Sequence, residues 1–194
     1  METWKILLLI LGIGIIILLY RNSEKIQLKC VLSENGNNKY CVRKDSLVEE
    51  SVPLLTEVTN RANNLVTYMS KKYPDNKEVK LLVKNYRPNN IKETLPNSEY
   101  TAYSEEKGEK IALCLRESKK SNKLIDINTL TFVMIHELAH VGTESFGHKR
   151  EFWEFMKFLL ENAVSIGIYE PINYEKEAQE YCGMTIDDNP IFDK

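Results

Sequence analysis

Histidine is nearly missing from this chain. Its 194 residues contain three, and all three fall within IHELAHVGTESFGHKREFW, at positions 136, 140 and 148. Strong charge of either sign is missing too: the formal net charge is −2 and the pI near 6.0. That balance argues against a broad polyanion-binding surface, and no nucleic-acid partner is expected. Lys119, Lys120 and Lys123 cluster, but they read as one solvated loop. None of the 17 asparagines stands in an N-x-S/T sequon, which argues against glycosylating compartments. Internal repeats are absent. The remaining composition, 43% hydrophobic and 28% charged, is that of one globular domain able to bury a core.

The exception is the N-terminus, METWKILLLILGIGIIILLYRNSEK. Ile6 to Tyr20 is apolar throughout, bracketed by Lys5 and Arg21, with Trp4 and Tyr20 where interfacial aromatics sit. The run is short of the roughly 20 residues of a full span, but Trp4 to Tyr20 with snorkelling flanks approaches that length. A cleaved signal peptide would need a small-x-small site after Tyr20, and none follows. A buried soluble helix would need a polar face, and none exists. The expectation is an uncleaved single-pass anchor at residues 1–25, holding the membrane through residues 4–20.

Two signals disagree about which side the body faces. Arg21, Lys25 and Lys29 follow the span and only Lys5 precedes it, which favours a cytosolic body. Against this, CVLSENGNNKYC reads as a hairpin turning at Asn35-Gly36. Counting outward from that turn places Cys30 opposite Cys41, at a separation a disulfide can bridge in an oxidising compartment. Cys114 and Cys182 show no partner. The side of the membrane stays open.

The layout expected after the anchor is a β-hairpin segment, 26–44, and a body, 45–194. Periodicity predicts a helix over Asp45–Lys72, capped by Ser46 and carrying Leu55, Val58, Ala62, Leu65, Val66 and Met69 on one face. Val79–Tyr86 reads as a strand and Arg87–Ser98 as a loop. Tyr100–Glu105 and Lys110–Arg116 read as a hairpin around Lys107-Gly108. A helix follows from about Asn128 to Val141, capped by Asp126 or Asn128 and stopped by Gly142. Lys149–Ile166 is a further helix ending at Gly167. The tail reads as irregular, with a short helix near Tyr174–Tyr181. The fold class is α+β, a small sheet packed on helices.

His136-Glu137-Leu138-Ala139-His140 fits H-E-x-x-H. Histidines four apart share one helix face, so both imidazoles can reach one ion. Glu137 falls beside that face, placed to act as general base on a zinc-bound water. A catalytic zinc takes three protein ligands and keeps one position open. His148, at the mouth of the next helix, is the expected third; Glu144 and Glu151 are the alternatives. Tyr174, Tyr181 and Arg150 are candidates for stabilising an oxyanion, with Tyr181 better explained as a buried tail residue. Phe152, Trp153, Phe155 and Phe158 recur at helical spacing and read as core, Trp153 least securely. Lys110–Arg116 reads as an exposed edge to which an extended peptide could add.

HELAHVGTESFGHKREFW resembles the active site of the WLM and SprT-like zinc metallopeptidases, zincin-type proteins whose third histidine precedes x-x-x-Phe, here His148 to Phe152. KGEKIALCLRE, DINTLTFVMIHELAHV, GHKREFWEFMKFLLENA and EYCGMTIDDNP further resemble uncharacterised WLM-like metallopeptidases of large DNA viruses. The resemblance covers most of Val79–Pro190. It implies a zincin-like domain, Zn²⁺ on His136, His140 and His148, and Glu137 as general base. Relatives of this type cleave proteins crosslinked to DNA; the anchor and the faintly acidic chain do not suit that substrate. The function expected is a membrane-anchored zinc endopeptidase acting on protein or peptide. The alternative is a non-catalytic zinc-containing membrane or virion scaffold. A zinc amidase acting on a cell-wall or other amide is the weaker third.

Overall fold

The computed structural model describes residues 3–21, 23–32 and 39–193. The expected Asn35-Gly36 turn lies outside them. Helix α1 (Thr3–Arg21) is long and apolar enough to cross a membrane, and none of its 18-residue apolar window is buried. A short helix, α2 (Glu24–Gln27), follows at once and leads into strand β1 (Leu28–Leu32). Strand β2 (Lys39–Arg43) pairs with β1 antiparallel, with Cys30 opposite Cys41. Those two cysteines form a disulfide, as counting from the turn predicts.

Helix α3 (Val48–Lys72) buries the predicted face. Its start differs from expectation: Leu47 is the N-cap, and Asp45 accepts from the Leu47 amide. The larger correction is Val79–Tyr86. It is no strand but part of α4 (Lys77–Asn85), whose N-cap Asn76 accepts from the Val79 amide. Val79 and Leu82, three apart, are the residues it buries. A cap and an i, i+3 pair outweigh the strand propensity of so short a run.

The predicted loop over Arg87–Ser98 conceals a 3₁₀ turn at Pro88–Asn90 and a three-residue strand, β3 (Ile91–Glu93). Strands β4 (Ala102–Glu105) and β5 (Lys110–Leu113) form the expected hairpin. The five strands make one mixed sheet in the order β1-β2-β3-β5-β4. The expected edge is therefore corrected: β5 is internal, paired with β3 and β4, and β4 is the edge on that side of the sheet.

Helix α5 (Ile127–Gly142) starts at Asp126, which accepts from the Thr129 amide, a cap contributing about 1 kcal/mol. It is apolar nearly all round because it is central, packing on α3, α4, β4, β5 and the following helix, α6 (Arg150–Ser165). Gly142 is its last residue, and what requires glycine there is contact. A Cβ would lie 2.2 Å from Phe155 Cε1 of α6. The tail contains no helix at 174–181; it forms a hairpin of β6 (Gln179–Tyr181) and β7 (Met184–Ile186). The turn is Cys182-Gly183, both at positive φ.

A buried ion cluster ties β2, β3 and the segment following β5 together. Glu93 receives the Arg43 amide at 2.6 Å and the Arg43 and Arg116 Nε atoms at 3.2 Å each. Arg116 also reaches Asp45 at 2.8 Å. Removing one partner from such a cluster would strand a buried charge, costing about 3–5 kcal/mol.

Candidate metal centre

His136 and His140 lie on one face of α5, ring centroids 5.0 Å apart. Residues 143–149 then fold back. His148 arrives with its ring 4.8 Å from that of His136 and 5.0 Å from that of His140. The His148 and His136 Nε2 atoms are 3.0 Å apart. One ring nitrogen from each histidine lies within 4.8 Å of the other two, a group able to hold a metal ion. Neither carboxylate alternative joins it. Glu144 pairs with Lys77 at 2.8 Å, and Glu151 accepts from the Glu144 and Ser145 amides at 3.3 Å each.

Local chemistry suits the imidazoles to ligation. Burial, then the neighbouring rings, pushes His136 down to about 3. Burial, then His148 and Lys107, pushes His140 down to about 4. Both are therefore neutral at physiological pH and keep a lone pair for a cation. Phe152, fully buried, packs against all three rings at 4.8, 4.3 and 4.8 Å and limits their rotation. Trp153 departs from the core assignment. It is 38% exposed and stands 5.5 Å from the His148 ring, at the mouth of the site. Phe155 is core, and Phe158 is half-buried against Tyr73.

Glu137 is 3% exposed, and its Oε2 has no partner. Burial pushes its carboxyl up to about 8, opposed by a hydrogen bond from Ser104 on β4. A divalent cation beside it would draw it back toward the ionised form. An orphaned carboxylate oxygen beside three neutral imidazoles is a donor set that fits a divalent metal with an acid-base group next to it.

The oxyanion candidates do not converge here. Arg150 is fully exposed and paired with Glu154. Tyr174 is buried against Phe132. Tyr181 lines the cleft, but its hydroxyl accepts from the Cys114 amide at 3.0 Å and donates to the Thr101 carbonyl at 3.3 Å. It is the buried tail tyrosine the sequence favoured.

Two contributors escaped the sequence. Lys107, read only as a turn residue, sends its Nζ to the carbonyls of Thr143 and Ser145 at 2.7 and 2.6 Å, and to that of His140 at 3.4 Å. It thereby holds the segment that delivers His148. Gly108 permits this approach, because a Cβ there would meet Val141 Cγ1 at 2.8 Å. The other is the β6–β7 hairpin, which forms one wall of a cleft of about 540 Å³ over the histidines and Glu137. Cys182 in its turn is disulfide-bonded to Cys114, a pair 68 residues apart with no local signal.

The WLM domain model matches residues 51–190, from α3 through the hairpin. The chain belongs to the WLM family. Membership points to a metallopeptidase-type function with a metal cofactor, and the histidine triad could bind one. Over nearly its whole length the chain is similar to uncharacterized protein R325 of Acanthamoeba polyphaga mimivirus. They are 33% identical over 196 residues, covering 97% of this chain and 98% of that one. Uncharacterized protein 136R of Invertebrate iridescent virus 6 is 39% identical over 61 residues, covering 31% of this chain and 34% of that one. Among solved structures it is similar to Wss1 from Saccharomyces cerevisiae, with a TM-score of 0.48 and 20% identity. That likeness covers 64% of this chain and 86% of that one.

Proposed function

We propose that this WLM protein is a membrane-anchored, zinc-dependent endopeptidase, with His136, His140 and His148 as zinc ligands and Glu137 as general base. The observation that carries the reading is Glu137. Glu137 lines the same cleft as three converged imidazoles, and its buried Oε2 has no partner. A structural zinc site has no use for such a carboxylate and closes its shell with a fourth protein ligand. Among the described residues the histidine group has three members.

When bound, zinc supplies the Lewis acidity that polarises a peptide carbonyl and acidifies water. Glu137 takes a proton from the attacking water and delivers it to the leaving amine nitrogen. Its burial excludes bulk solvent from that exchange. Neutral His136 and His140 keep their lone pairs for the ligand shell, and Phe152 behind them sets their orientation. Strand β4, the free edge beside the cleft, offers backbone groups to an extended substrate.

Helix α1 serves as the anchor. Two disulfides join all four cysteines, and this favours an oxidising compartment for the body over the side suggested by the flanking charges.

The test is zinc content by elemental mass spectrometry on the full chain in non-ionic detergent. One zinc in wild type and in Glu137→Gln, with little in His148→Ala, supports the ligand set and places Glu137 outside it. Peptide cleavage by wild type and not by Glu137→Gln completes the assignment. Zinc unaffected by loss of His148 would overturn it.

A further inference from the structure

Helix α1 stands clear of the body, with none of its apolar window buried, yet its root is fastened to the sheet. Helix α2 begins at Glu24, three residues after α1 ends at Arg21. The Ser23 amide donates back to the Tyr20 carbonyl at 3.1 Å, and the Ile26 amide to the Ser23 carbonyl at 3.1 Å. Hydrogen bonds thus bridge the step from one helix to the next. Helix α2 in turn grips the sheet. Glu24 accepts from Lys92 of β3 and from Lys110 of β5, the latter at 3.4 Å. The Gln27 carbonyl accepts the Lys44 amide at 2.8 Å, just past β2, and the Gln27 side chain donates to Asn97 at 3.3 Å. Both lysine side chains are at most 20% exposed, so these pairs are better shielded than ordinary surface ones.

The same lysine leads on toward the cleft. Lys110 pairs with Glu105, the last residue of β4, at 2.5 Å, and its ammonium lies 5.1 Å over the Tyr103 ring. Ser104, next to Glu105, hydrogen-bonds the Glu137 carboxylate and lines the cleft. Followed bond by bond, the path from Glu24 to the Glu137 carboxylate spans at most about 25 Å. Helix geometry places the start of that path. A rise of about 1.5 Å per residue puts Glu24 about 6 Å beyond Tyr20 along the helical path, and Tyr20 is the interfacial aromatic. A headgroup layer is about that thick on each side of a bilayer. The cleft therefore lies no more than about 25 Å above the headgroups, a height that an extended chain, at about 3.4 Å per residue, climbs in fewer than about ten residues.

We infer that the anchor seats the cleft at a fixed height on the bilayer and that the substrates are membrane proteins, cut in the extended segment just outside their span. This rests on the membrane-anchored endopeptidase reading and names its substrate class. A body on a slack tether would meet polypeptides at any height. This one is presented to chains emerging from its own membrane, whose effective concentration at the cleft is raised by the shared surface.

The test uses a model substrate, a Leu-Ala span with a long flexible tail at each end. The tail repeats a peptide that wild type cuts in detergent. Full-length protein and substrate are placed in the same phosphatidylcholine vesicles, and cut positions are read by mass spectrometry. Cuts should fall within roughly ten residues of the span, while the same tail added without a span is cut at every repeat. A Gly-Ser linker of about 20 residues inserted directly after Arg21, with an r.m.s. reach of about 25 Å, should move the cuts outward by several residues. Zinc content and cutting in detergent should stay unchanged in the linker form. Cuts spread evenly along the tethered tail, or a pattern that the linker leaves unmoved, overturn the inference. The seating is also read without activity. With a fluorescent amino acid replacing exposed Glu109, beside Lys110, energy transfer to rhodamine-labelled headgroups should be strong and should fall severalfold in the linker form. Equal transfer in both overturns the seating. Should wild type cut no peptide in detergent, the endopeptidase reading falls, while energy transfer still decides the seating.

Discussion

The Lys107 ammonium lies 2.6 Å from the Ser145 carbonyl oxygen, so the β4–β5 turn grips the segment that carries His148. Burial lowers the Lys107 pKa and Glu151 opposes that, consistent with a cation spent on carbonyls. Outer partners of this kind position metal ligands. Lys107→Met should weaken zinc binding by roughly 10- to 100-fold in competition with a chromogenic chelator. Unchanged affinity would mean that Glu151, from the other side of the segment, suffices.

Glu137→Gln keeps the shape of the side chain and removes its basicity. Cleavage should fall by about 10²–10⁴-fold at constant zinc content, the range ascribed to a positioned acid-base group. A smaller loss would assign proton transfer to another residue.

Gly142→Ala tests the α5–α6 contact. The new methyl would meet Phe155 Cε1 at 2.2 Å and the Glu78 carbonyl oxygen at 3.1 Å, so helix α6 must shift. Overpacking of this kind costs about 1–3 kcal/mol. A thermal melt should show a midpoint several degrees lower, and zinc affinity should fall with it because α6 also carries Phe152. A wild-type melt would assign Gly142 the plain helix-stop role.

The two disulfides close loops of very different length, with separations of 11 and 68 residues. In the chain-entropy account the shorter contributes about 3 kcal/mol and the longer about 4 kcal/mol. The longer loop encloses α5, α6 and all three histidines. Paired cysteine-to-alanine variants should both lower the urea midpoint, the Cys114/Cys182 pair more. The reverse ranking would show that native-state contacts, not loop entropy, dominate.

In the metal-free protein the histidine contribution to stability should fall as pH drops below about 6.5. The sign follows from depressed folded-state values: the unfolded chain takes up protons near 6.5, while folded His136 resists until about 3. The stabilising contribution is complete above 6.5 and is lost progressively toward 3. Between pH 6.5 and 5, His136 accounts for about 2 kcal/mol. Urea unfolding of chelator-treated protein at pH 7 and pH 5 should show wild type losing about 2 kcal/mol more over that interval than His136→Gln. The Glu137 carboxyl, raised by burial, works in the opposite direction and is common to both proteins. Equal slopes would show that His136 is not desolvated.

Much of the site was legible because its grammar is local. The helix repeat puts His136 and His140 on one face whatever surrounds them, and Asp126 caps that helix through an amide three residues on. The pairing of Cys30 with Cys41 follows from counting across a short turn. Where the reading failed, the signals were short or distant. Val79–Tyr86 is rich enough in branched residues to imitate a strand, and its Asn76 cap was the overlooked clue. Strand β3 has three residues and exists because parallel neighbours on both sides complete its hydrogen bonds.

The sequence by itself determined the histidine face, the adjacent Glu137 and the long apolar N-terminal helix, since each depends on residues within a helical turn or a continuous run. Tertiary structure alone decided that His148 closes on the other two, that Lys107 and Glu151 hold its approach, and that β4 is the free edge. It also carried Cys182 across 68 residues to Cys114, making an irregular-looking tail into a cleft wall. Those contacts join segments far apart in the chain. They arise from packing around a shared core, which no local spacing encodes.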